Sequence, residues 1–222
     1  RDLHRVDRRQ RQMCIRDRSA TPTPTRQPTG TITPTATLQP TATIAGVSGI
    51  PCAHAPLGVF GEVYQSDPGI PTAMGCPTAP IGSEEPPRIW PVQITYQPFE
   101  RGHMVWLSNV GWYEAKVVYV LLDDSTYARY DDTYDPSRDA ERAGPVPPVG
   151  LFRPTEALGK IWFQTPGLVE RIGFATAPPT TVATEMQMFE YGEMIAVPPA
   201  SAVFVFKRGN PSTWSGYVLP GS

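Results

Sequence analysis

The sequence predicts a β-rich α+β protein: two tandem repeats, each a short helical turn followed by two β-hairpins, after a disordered Thr/Pro-rich tail. Three observations predict it. The octet QPFERGHM at 97–104 returns as QMFEYGEM at 187–194, with Gln, Phe, Glu, Gly and Met in the same frame. Upstream, FGEVYQSDPGIPTAMGCPTAP (60–80) aligns without a gap to LGKIWFQTPGLVERIGFATAP (158–178) at a constant shift of 98, and such dense matching of glycines and prolines marks an internal repeat. Residues 19–46 are nearly all Thr, Pro, Ala and Gln, a composition that buries too little apolar surface to offset its ordering entropy.

Residues 1–18 stand apart. The Arg-dense VDRRQRQMCIRDR (6–18) is unlike anything downstream and resembles a translated sequencing adapter of metagenomic reading frames, the alternative being a basic arm for nucleic acid or membrane. Without this segment's seven Arg and three Asp, the chain's 19 basic and 21 acidic residues fall to 12 and 18, a formal −6. An acidic surface with no basic stripe argues against a nucleic-acid partner, whose affinity rests on counterion release. No apolar run approaches the roughly 20 residues of a membrane-spanning helix, so no span is expected in this fragment. Residues 19–46 are expected to form an extended, partly polyproline-like stalk, either a spacer between an envelope anchor and an exposed domain or an interdomain linker.

The first repeat unit is placed at 47–135. Cys14 lies in the segment set aside, so Cys52 and Cys76 are the cysteines of the folded part. A bridge between them would close a loop of about 25 residues, worth roughly 3 to 3.5 kcal/mol, and would fit an oxidising, extracytoplasmic compartment. Asp67 and, in the second copy, Thr165 precede a proline, which suits a helix cap followed by Pro at the first helical position; Gly75 and Gly173 suit a left-handed stop. Val63, Tyr64, Ile161 and Trp162 supply the apolar anchors. In the octets, Gly102 and Gly192 are expected to provide the positive φ of a tight turn, with Phe and Met buried on either side. The second hairpin, VVYVLLDDSTYARY (117–130), is answered by VFVFKRGNPSTWSGY (203–217), so that Ser125, Thr126 and Tyr127 correspond to Ser212, Thr213 and Trp214. A Pro-rich connector at 136–153 separates this unit from the second, at 154–222.

A glycine ahead of an aromatic helix, the stop MGCPTAP or IGFATAP, and then QxFExGxM together resemble the LGFP repeat of bacterial envelope and cell-wall-associated proteins, over residues 56–135 and 154–222. The eponymous tetrapeptide is Met74-Gly75-Cys76-Pro77 in one copy and Ile172-Gly173-Phe174-Ala175 in the other, where Ala175 departs from the family's proline. The resemblance implies a non-catalytic module, secreted or envelope-anchored, that holds its protein to cell-wall polysaccharide or peptidoglycan.

The residues themselves offer little chemistry. No G-x-S-x-G, H-E-x-x-H or Cys/His signature is present, GVFGEV (58–63) lacks the glycine and lysine of a phosphate loop, and no cofactor is called for. His103 is expected to be an exposed turn residue. Asp123, Asp124, Asp131, Asp132 and Asp135 do not follow an EF-hand spacing and are expected to be a solvated hairpin, with no metal. A hydrolase using Glu84, Glu85, Glu100 or Glu190 lacks positional support. Sugars stack on aromatic rings, so Trp106, Trp112, Trp214 and Tyr127 are the candidate ligand contacts, beside Trp90; each could equally serve the core, and Trp162 is assigned to it. Glu100 and Glu190 are either ligand contacts or turn carboxylates bonding local backbone. The function expected is binding or adhesion to envelope glycan; the alternative is a structural or protein-interaction spacer that docks an upstream catalytic or sensor domain.

Overall fold

The two octets form hairpins because apolar residues alternate on both sides of a glycine that must meet the neighbouring strand. The computed structural model describes residues 52–139 and 144–219; the arm, Cys14, the stalk and part of the connector lie outside them. Strands β1 (Ile89–Phe99) and β2 (Gly102–Leu107) pair antiparallel with Gln97 opposite Met104. Strands β5 (Thr180–Phe189) and β6 (Gly192–Val197) pair with Gln187 opposite Met194. Only Gly102 of the two turn glycines has a positive φ, 134°. What both share is close approach: a Cβ on Gly102 would clash with the carbonyl oxygen of Leu121, and one on Gly192 with that of Phe206. The expectation of a positive φ at Gly192 is thus replaced by a packing reason.

The β-branched and aromatic runs give β3 (Val117–Leu122) with β4 (Tyr127–Asp131), and β7 (Ala202–Lys207) with β8 (Thr213–Val218). All eight strands join one antiparallel sheet in the order β4-β3-β2-β1-β5-β6-β7-β8, with β1 and β5 paired in the middle from Ile89–Gln187 to Tyr96–Thr180. The sheet curls until its edges meet. Tyr127 N donates to Ser212 O at 3.1 Å and Trp214 N to Ser125 O at 2.9 Å, and beyond this contact β4 and β8 run apart, leaving a near-barrel that is open along part of one side.

Each helical stretch is two short helices rather than the single turn expected. These are α1 (Gly58–Ser66) and α2 (Gly69–Met74), then α3 (Glu156–Gln164) and α4 (Leu168–Ile172). Pro68, not Asp67 as expected, is the N-cap of α2; Asp67 lies one residue further out, its Oδ1 accepting Gly69 N at 2.8 Å, which with the Tyr217 hydroxyl holds its carboxyl below the usual range. Thr165 does not play this part; α4 starts at Leu168 behind Gly167, at φ 75°. Gly75 and Gly173 end their helices at φ 67° and 77°. Cys52 and Cys76 are disulfide-bonded, tying the chain before α1 to the loop after α2.

Alternation sorts the strand residues into layers. The inner face gathers Ile94, Tyr96, Val105, Leu107, Tyr119, Leu121, Met186, Ile195, Phe204 and Phe206. The outer face of β2 and β3, with Met104, Val118 and Val120, is covered by Leu158, Trp162, Leu168 and Ile172 of α3 and α4. The outer face of β6 and β7, with Met194, Val203 and Val205, is covered by Phe60, Val63, Ile70 and Met74 of α1 and α2. Each helix pair therefore covers strands remote from it in sequence. Full burial of a side chain such as Phe60 or Ile172 stabilises by about 2–3 kcal/mol, so the crossing carries much of the fold's cohesion.

Candidate functional site

Where β4 and β8 diverge, the inner face of β8 is left uncovered and a groove of about 420 Å³ opens beside it. Period-two alternation aims Trp214 and Gly216 of β8 to the same side as Phe204 of β7. Across from them stand Tyr96 of β1 and His103 of β2, while Ser201, following a short 3-10 turn at Pro198–Ala200, closes one end. His103 is half-buried, with ring centroids 5.6 Å from Tyr96, 5.8 Å from Phe204 and 5.5 Å from Trp214, the last edge-on. The expectation of an exposed turn residue is corrected. The side chain after the turn glycine falls on the face of Val105 and Leu107, which is the interior.

The Tyr96 hydroxyl lies 2.8 Å from His103 Nδ1. Burial raises the tyrosine's pKa and lowers the histidine's, so the phenol keeps its proton and the imidazole is neutral. With the phenol donating to Nδ1 the ring proton sits on Nε2, and with Nδ1 donating to the phenol oxygen Nε2 is an acceptor. In either tautomer the groove is lined by one neutral imidazole between aromatic walls. Its ten lining residues, Tyr96, His103, Ala200, Ser201, Ala202, Phe204, Trp214, Gly216, Tyr217 and Val218, include no carboxylate, lysine or arginine.

The position of His103 on β2 is taken on β6 by Glu193, each following the turn glycine, but the surroundings differ. Glu193 is 3% exposed, accepts a hydrogen bond from the Tyr119 hydroxyl and pairs with Arg208 at 3.2 Å. Burial, reinforced by the Glu193 charge, pushes Tyr119 well above the ordinary tyrosine range and Tyr127 up to about 12. Tyr127 packs edge-on against Phe206 at 5.3 Å. This place is filled by the protein's own groups.

The six residues singled out from the sequence do not converge. Trp214 lines the groove and its Nε1 donates to Leu122 O at 2.9 Å, while Tyr127 lies across the sheet closure on the Glu193 side. Trp106 faces outward and donates to Asp132 Oδ2 at 2.7 Å. Trp112, on the β2–β3 loop, forms a ledge with Trp90 at 5.9 Å and Tyr113 at 5.2 Å, with the Arg88 guanidinium 3.9 Å above Trp90. Glu100 accepts Phe174 N at 2.8 Å and Glu190 accepts Cys76 N at 3.2 Å, so both bond backbone, though of a segment distant in sequence. Of the acidic string, Asp124 holds Thr126, Asp132 holds Tyr134 N and Trp106, and Asp135 holds Ser137 and Arg138. Among the described residues no three His, Cys, Asp or Glu gather as a metal site. A second cavity, of about 250 Å³, lies along α3, where Lys160 is engaged by Asp139 at 2.6 Å and Thr133 O at 2.7 Å.

No protein-family model, curated protein or solved structure matches this chain. Among the described residues no helix is long and apolar enough to cross a membrane.

Proposed function

We propose that this chain is a non-catalytic, extracytoplasmic module that adheres to cell-envelope glycan, carried on a Thr/Pro-rich stalk. The observation that carries the reading is the groove in which Trp214, Tyr96 and Phe204 offer ring surfaces around the polar His103 and Ser201, the combination that holds a sugar by stacking and orients it by hydrogen bonds. The Cys52–Cys76 bridge supports an oxidising location. Two copies of one LGFP-like unit account for the recurrence of a helix pair followed by four antiparallel strands, and for the equivalent places of Glu100 and Glu190 beside Gly173 and Gly75.

The test is co-sedimentation of the full chain with purified bacterial cell walls, before and after removal of secondary polymers, at low and high salt. Pelleting that survives high salt and polymer removal is expected, since an uncharged contact is not screened. Failure to pellet under any of these conditions would overturn the reading and point to a module that docks a protein domain instead.

A further inference from the structure

The twofold motif suggests two ligand sites, but among the described residues the two places that follow the turn glycines differ. On the β6 side, the carboxylate of Glu193 is taken by Tyr119 and Arg208, and Tyr127 packs over Phe206. On the β2 side, the residue in the equivalent place is the neutral His103. Tyr96 occupies its Nδ1, and the ring lines a groove of about 420 Å³. Gly216 keeps that volume open. A Cβ there would meet the Phe204 ring at 3.6 Å and the Trp214 ring at 3.8 Å, both ordinary contacts, so a larger side chain would fit the backbone and occupy the groove.

Building on the adhesion reading above, we infer that the groove bounded by His103, Tyr96, Phe204, Trp214, Ser201 and Gly216 is a single site per chain for an uncharged pyranose ring. The argument is one of matching. An anionic sugar or a phosphate polymer entering a groove with no cation would lose hydration without recovering it, and an ammonium group would find no carboxylate. A neutral ring loses little. Its C–H face lies on Phe204 or Trp214, a ring hydroxyl, able to donate or accept, bonds the His103 imidazole, and another meets the Ser201 hydroxyl.

Calorimetric titration of the full chain with a short N-acetylglucosamine oligomer tests this, with an oligogalacturonate of matched length and a free wall-stem peptide as competitors. Saturable binding at one oligosaccharide per chain is expected, weakened roughly tenfold or more in Gly216→Leu, with neither competitor displacing the sugar. His103→Phe approximates the ring volume and removes the hydrogen-bonding nitrogens; it should also weaken binding and provides the answer if Gly216→Leu does not fold. Two equivalent sites, displacement by the galacturonate or the peptide, or undiminished affinity in both variants would overturn the assignment. If the chain still pellets with walls in those cases, the adhesion reading stands and only this site falls; loss of both sugar binding and pelleting removes both.

Discussion

At the residue scale, His103 shows how a polar side chain can be legible in position and illegible in role. Alternation from Val105 and Leu107 puts it inside, yet a histidine beside a turn glycine reads locally as surface, and nothing nearby in sequence announces Phe204 or Trp214, about a hundred residues on. The same holds for Glu100 and Glu190, legible as backbone-bonding carboxylates but not as bonds to Phe174 and Cys76. Trp214 lines the groove, whereas Trp106, a candidate on the same grounds, faces outward and donates to Asp132, because the exposure of an aromatic depends on what covers it. The histidine also gives a signed pH dependence. Its folded pKa lies below the unfolded value because burial disfavours the charged form, so below the unfolded pKa the unfolded chain binds more protons. The stability associated with neutral His103 is full above about pH 6.5 and is lost as pH falls through the folded pKa. Thermal melts from pH 7.5 downward should show a decrease of a few degrees that His103→Phe reduces. An identical decrease in the variant would assign the effect to other groups. Gly192→Ala provides a second residue-scale test: its Cβ would clash with the Phe206 carbonyl, and a cost of about 3 kcal/mol is expected in urea titration. A near-neutral result would mean that β7 yields at that point.

At the element scale, the helices and hairpins were legible because their causes are local. Pro68 and Gly75 bracket α2, the Gly-turned octets form hairpins, and β-branched runs form β3 and β7. The first helix of each pair is less legible because α1 and α3 carry no side-chain cap, leaving only the spacing of Phe60 and Val63, or Leu158 and Trp162, to mark them. Those apolar faces hold the helices in place, and α3 depends on one residue above the rest. Trp162 is 1% exposed and its Nε1 donates to Gly173 O at 2.8 Å, so it joins α3 to the end of α4 while filling the layer over β2 and β3. Trp162→Ala should cost about 3–5 kcal/mol by the cavity and the orphaned carbonyl. Over β6 and β7, Tyr64 donates to Gly75 O at 3.0 Å, and the disulfide adds a covalent tie across the same helix pair. Replacing both Cys52 and Cys76 by serine should therefore lower stability by about 3 kcal/mol, read as a lower urea midpoint with a slope that is unchanged or steeper, since opening the loop expands the unfolded chain. A shallower slope would instead indicate that α1 and α2 come away from β6 and β7 before the sheet unfolds.

At the scale of the whole molecule, the sequence shows which faces are apolar but not which partner covers them. Met104 and Met194 occupy equivalent frames, yet Met104 lies under α3 and α4, and Met194 under α1 and α2. The crossing recurs in the finer bonds: Gln97 Nε2 donates to Ala177 O at 3.1 Å, and Gln187 Oε1 accepts Leu57 N at 3.0 Å. Eight residue pairs between β1 and β5 complete the union. It follows that neither half owns a complete core, since each would expose the outer face of its own strands and leave its helices without a sheet to cover. The connector offers a place to ask this. Val146 and Val149 are 88% and 106% exposed, so a protease site inserted among residues 145–150 can be cut in the native protein. After cutting, the two fragments should elute together and melt in one cooperative transition close to that of the uncut chain. Each fragment alone should show no cooperative melt as a monomer, because the apolar faces it exposes are those that its counterpart buries, and mixing the two should restore the transition. A monomeric fragment 154–222 that melts cooperatively would require α3 and α4 to close back over β6 and β7. In that event the reciprocal cover would be one choice between two packings rather than a condition of folding.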